Sequence, residues 1–93
     1  MPFIDTHNRD HKIEIDYSKA VDVIVSSKTD GSYIPLFFRA KDYEEVLQTY
    51  KVTVKFIKPK KDCTTFRCVI TNYCRQKEVY LTCYEQYHIW ILE

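Results

Sequence analysis

The chain has 93 residues, 45% of them apolar and 29% charged, which fits one small globular domain and excludes a disordered chain or a two-domain arrangement. Its single glycine, Gly31, excludes a P-loop or a dinucleotide fingerprint, because both need several glycines to let backbone approach an anion. Net charge is +1, yet residues 1–50 carry six basic against nine acidic side chains and residues 51–93 carry eight against four; that polarity can orient a partner but does not specify nucleic acid.

Residues 1–11 show no hydrophobic period and are expected to be a flexible tail preceding one β domain over 12–93. The N-terminus lacks a basic stretch followed by an apolar one, and the longest apolar runs are about six residues, so neither a signal peptide nor a membrane span is expected and the cytoplasm is the expected location. His7 and His11 have H-x3-H spacing, which gathers a metal only when a helix puts both rings on one face. No helical pattern supports that here, and no metal is expected.

From Lys12 the chain reads as strands, in keeping with eight Tyr and five Phe. Ile13, Ile15 and Tyr17 alternate with Glu14 and Asp16, predicting a first strand. Val21–Val25 is β-branched and predicts a second. Asp30-Gly31 is the strongest turn dipeptide, predicting a hairpin around Thr29–Ser32 that leads into a strand over 32–39. Pro35 has no backbone donor, so that strand is expected at an edge or with a bulge. Asp42 followed by Glu45 has the form of a capping box, and Tyr43, Val46, Leu47 and Tyr50 share one helical face, predicting a short helix near 42–50. Val52, Val54 and Phe56 then alternate with Lys51, Thr53 and Lys55, which points those apolar side chains inward and Ile57 outward. Strands are predicted over 65–72, 77–85 and 88–92. The fold class expected is mainly β: an antiparallel rolled sheet or small, partly open barrel with one short helix.

The hairpin formed by 65–72 and 77–85 has a testable register. Pairing Asn72 with Lys77 places Ile70 opposite Val79, Cys68 opposite Leu81 and Phe66 opposite Cys83, so one face is wholly apolar. Cys68 and Cys83 then point inward as diagonal neighbours, too far apart for an easy disulfide. Cys63 and Cys74, beyond opposite ends of strand 65–72, are roughly 35 Å apart at ~3.3 Å per residue. Without a C-x2-C pair or a secretory signal, the four cysteines are expected to be reduced structural thiols.

Three constellations could carry function. The outer face of the hairpin gathers Arg67, Val69, Tyr80 and Tyr84, residue types suited to a protein partner or a second copy of the chain. The lysines Lys55, Lys58, Lys60 and Lys61 could neutralise phosphates, the alternative of a nucleic-acid-binding barrel. Cys83 and His88 form a Cys–His pair, the alternative of a thiol or metal site, but no third group or oxyanion site accompanies them. The leading expectation is a non-catalytic binding module that needs no cofactor.

Overall fold

In a computed structural model the structure describes residues 15–72 and 75–93. Six strands occur in chain order: β1 (Ala20–Ser27), β2 (Tyr33–Lys41), β3 (Leu47–Pro59), β4 (Thr64–Asn72), β5 (Arg75–Tyr84) and β6 (Ile89–Leu92). Each pairs antiparallel with the next, and β6 returns to β1 through Ala20↔Ile91 and Val21↔Trp90, closing a barrel in simple meander order. The mainly β expectation therefore holds, and closure decides between the rolled sheet and the barrel.

The expected helix near 42–50 is absent. Asp42 instead organises a turn: its carboxylate accepts from the backbone N–H groups of Glu44 at 2.8 Å and Val46 at 3.0 Å and from the Gln48 amide at 3.2 Å. An Asp that can cap a helix can equally close a turn on itself, and this backbone takes the second route. Glu45 has φ 65, a left-handed conformation that a right-handed helix cannot contain. From Leu47 onward the chain pairs with β2, Lys41↔Leu47 being the first rung. The apolar stripe had no sheet to cover: Tyr43 is 89% exposed, and Val46 and Leu47 are exposed as well.

The first predicted strand is also corrected. Ile13 and Glu14, like the proposed tail over 1–11, lie outside the described residues, but Tyr17–Lys19 form a single 3₁₀ turn rather than a strand. Asp16 caps that turn by accepting from the Ser18 N–H at 3.1 Å. Local carboxylate-to-backbone bonding again outweighs a weak period-two pattern.

The predicted hairpin around Gly31 is present. Lys28 N–H donates to the Ser32 carbonyl at 2.8 Å, and the Asp30 carboxylate accepts from the Ser32 N–H at 2.9 Å. Gly31 has φ 90, which is why the turn uses the chain's one glycine. Next to Pro35 the β1–β2 register slips, with Ile24 opposite Phe37 but Val25 opposite Pro35. The extra residue is Leu36, so the bulge anticipated from the proline is there.

The β4–β5 hairpin keeps the predicted faces but not the predicted rungs. Asn72 pairs with Arg75, so Cys68 lies opposite Val79, Phe66 opposite Leu81 and Thr64 opposite Cys83. The slide is two residues, and an even slide leaves every side chain on its face. Phe66, Cys68, Ile70, Val79, Leu81 and Cys83 are all buried and form one core with Phe38 and Val52. Tyr33, Phe66 and Trp90 pack as an aromatic cluster, with Phe66 centred 5.7 Å from Tyr33 and 5.5 Å from Trp90. Phe66, the fully buried member of that cluster, stabilises the fold by about 1.5–3 kcal/mol, and the partly buried Tyr33 and Trp90 add a share of theirs. The described cysteines Cys63, Cys68 and Cys83 are free and buried, as expected of structural thiols; Cys74 lies outside the described residues.

Candidate interaction surface on strands three to five

Strand β3 changes partner along its length. Leu47–Lys51 pairs with β2, and Val52–Pro59 pairs with β4. Among the described residues, the β2 side of Val52–Pro59 has no ladder partner and the facing side of Tyr33–Leu36 in β2 has none either, so the β2–β3 seam is open beyond the Phe37↔Lys51 rung and this half of β3 is an edge strand.

A bulge at Lys55 reorients the side chains beyond it. Val54 lies opposite Cys68, but Phe56 lies opposite Arg67 and Ile57 opposite Phe66. One extra residue reverses the alternation. Phe56 therefore points outward and is 55% exposed, whereas Ile57 shares the inner face with Phe66 at the barrel rim and is 44% exposed. This reverses both sequence expectations for these two side chains. Phe56 and Ile57 fall on opposite faces with or without the bulge, so their adjacency carried no signal for it.

On the outer face the register builds a row from β3 to the C-terminus. Phe56 lies opposite Arg67 and Arg67 opposite Tyr80, while Tyr80 exchanges backbone hydrogen bonds with Glu93 at 2.8 and 2.9 Å. The Arg67 guanidinium carbon sits 5.8 Å from the centre of the Phe56 ring, within cation–π range. Glu78 ties the row together: its carboxylate accepts from the Tyr80 hydroxyl at 3.1 Å and lies 3.8 Å from Arg67 Nε. Both members of that ion pair are about half exposed, so it orients the guanidinium more than it stabilises the fold.

Arg67, Val69 and Tyr80 thus come together, with Val69 opposite Glu78. Tyr84 stands apart. It shares their face but lies four residues from Tyr80 along β5, roughly 13 Å at ~3.3 Å per residue, with Thr82 buried between them. Its phenol is pushed up chiefly by desolvation, with the Cys63 thiol adding to the shift. The outer face is closed around Thr82 and Ile91, both buried, and opens toward β3.

The lysines divide as well. Lys55 lines a shallow outer groove of about 320 Å³ with Lys51, Thr53 and Val69. Lys58 is opposite Thr65 on the outer face, and Lys60 and Lys61 lie in the β3–β4 turn, where Lys60 N–H donates to the Cys63 carbonyl at 2.7 Å. All four are exposed and line the chain along and just beyond the unpaired half of β3. Lysines, a bulge and Pro59 together are the means by which natural proteins guard an exposed strand edge. In the sequence these lysines read as a separate patch, because the partner switch of β3 is a property of the whole barrel.

Cys83 and His88 do line one cleft, of about 330 Å³, with Tyr33, Glu85 and Trp90. The Cys83 thiol is pushed up by burial, which outweighs the lowering effect of its contact with Tyr33. A thiol held protonated is a poor nucleophile and a poor metal ligand. The Tyr33 hydroxyl is raised likewise, by burial first and then by its 2.6 Å bond to the Glu85 carboxylate. Among the described residues, no three His, Cys, Asp or Glu side chains converge on a metal position, and no helix is long and apolar enough to cross a membrane.

Comparison with protein-family models, with curated proteins and with solved structures found no match.

Proposed function

We propose that this chain is a non-catalytic β-barrel binding module that engages a protein partner through the outer face of β3–β5. The observation that carries the reading is Phe56, an aromatic side chain turned to solvent by a bulge, set beside Arg67 and in one row with Tyr80 beyond it. Aromatic and arginine side chains clustered on a rigid scaffold are the usual anchors of protein recognition, because they combine large apolar contact with a small number of directed polar bonds. The Glu78 carboxylate, by holding both Arg67 and Tyr80, organises the surface before a partner arrives, which reduces the entropy lost on binding. The free thiols fit a reducing compartment, and the reading is of a cytoplasmic module.

Affinity capture from a lysate of the source cells tests this, with the unaltered protein compared against Phe56→Ser combined with Arg67→Glu. A partner should be held by the unaltered protein and by a Lys28→Glu control, and lost by the double variant. A partner retained equally by the double variant, or no partner together with a strict monomer in sedimentation, would refute the proposal.

A further inference from the structure

We infer that the unpaired half of β3, Val52–Pro59, receives an acidic, extended segment of the partner as an added strand; this rests on the partner reading above and names the partner's chemistry. Three observations converge on it. The first is the ladder itself. β3 is paired with β4 over these residues, and among the described residues nothing pairs its other side. Alternate N–H and C=O groups along that edge are thus set to bond an incoming strand.

The second is the placement of apolar surface. Phe56 is half-exposed on the outer face and Ile57 on the inner rim, immediately beside each other in the chain. A strand laid along this edge directs successive side chains to opposite faces, so it covers both at once. A ligand resting on the outer face alone covers only Phe56.

The third is charge. Lys51, Lys55, Lys58, Lys60 and Lys61 fall between residues 51 and 61, a stretch without an acidic residue. A second copy of this edge would bring lysine against lysine, so the same charges that oppose self-pairing select an acidic segment. A nucleic acid could neutralise the lysines, but it would leave the strand's N–H and C=O groups without partners and Ile57 uncovered. Acidic extended protein is the chemistry that satisfies all three features.

Anisotropy titrations of the 93-residue chain test the inference. The probes are a labelled ten-residue peptide alternating Glu with Val, the same peptide with Lys for Glu, and a thymidine decanucleotide. The acidic peptide should bind most tightly, with backbone amide shifts of Val52–Lys58 moving most in nuclear magnetic resonance spectra. Lys55→Glu with Lys58→Glu should weaken that binding at least tenfold, and the charge-matched control Lys28→Glu with Lys41→Glu less than twofold. Equal binding of acidic and basic peptides, tighter binding of the oligonucleotide, amide shifts confined to β5, or an unchanged affinity in Lys55→Glu with Lys58→Glu would each overturn it. If the acidic peptide fails to bind while Phe56→Ser with Arg67→Glu still strips the cellular partner, strand addition falls and the partner reading stands. If that double variant leaves partner capture intact, the partner reading itself falls.

Discussion

Phe56 and Phe66 are both aromatic residues within predicted strands, and simple alternation turns both inward. The bulge at Lys55 separates them. Phe66 is 1% exposed and packs against Tyr33 and Trp90. Phe66→Ala removes a buried aromatic and leaves a cavity that the neighbouring rings fill only in part, at a cost of about 3–5 kcal/mol. For a chain of this length, total stability is about 5–14 kcal/mol at ~0.05–0.15 kcal/mol per residue, so the variant should lose a large share of it. Phe56 keeps half its surface in water and touches Arg67. Its truncation forfeits about half of a full burial plus a surface cation–π contact, altogether about 1–2 kcal/mol. Urea unfolding measures both. With m at ~1–3 kcal/mol/M for a small domain, Phe66→Ala should lower the midpoint by roughly 2 M and Phe56→Ala by at most about half as much, with m unchanged in each. Equal losses would mean that Phe56 is a core residue and that the bulge is misplaced, which would remove the surface proposed for binding.

The same geometry carries further consequences. Glu45→Gly relieves a left-handed backbone at φ 65 and should raise stability by up to about 1 kcal/mol, whereas Glu44→Gly should not; thermal melts compare them. Burial raises the Cys68 thiol from its ordinary 9.0 to about 11. The stabilisation from keeping that thiol neutral is therefore complete below pH 9 and declines as the pH rises from about 9 to about 11, where the unfolded chain has already released the proton. Cys68→Ala should flatten the fall in stability across that window, and an unchanged slope in urea midpoints against pH would contradict the assignment. Replacing the edge lysines, Lys55→Val with Lys58→Thr, should change stability by less than about 0.5 kcal/mol while producing concentration-dependent association in sedimentation. A variant that sediments as the unaltered protein does would show that charge is not what guards the edge.

Where side-chain alternation decided the structure, it could be read from the residues. The β4–β5 faces come from Phe66, Cys68, Ile70, Val79, Leu81 and Cys83, and a two-residue slide in register left them intact because the period is two. The hairpin at Gly31 was equally legible, since its left-handed position suits glycine and the Asp30 carboxylate closes the turn on the Ser32 N–H. Asp42 misled because a capping side chain and a turn-closing side chain make the same bonds to the same backbone groups. What distinguishes them is whether a surface exists to receive the helix, and the meander leaves none for Tyr43, Val46 and Leu47. The surface proposed for binding was legible only in part. Arg67, Val69 and Tyr80 come from hairpin parity, but Phe56 depends on a bulge. The side of Val52–Pro59 left open among the described residues depends on where β2 stops pairing with β3, which no local pattern encodes.

Residue-resolved amide hydrogen exchange in the isolated protein reads the open edge of β3 without any partner present. Amides between Val52 and Lys58 that point toward β4 should be slow, and those between them, facing the open side, should exchange at rates close to those of the β3–β4 turn. Uniform slow exchange across this stretch would mean that both sides of the strand are already bonded, leaving no edge for a partner to occupy.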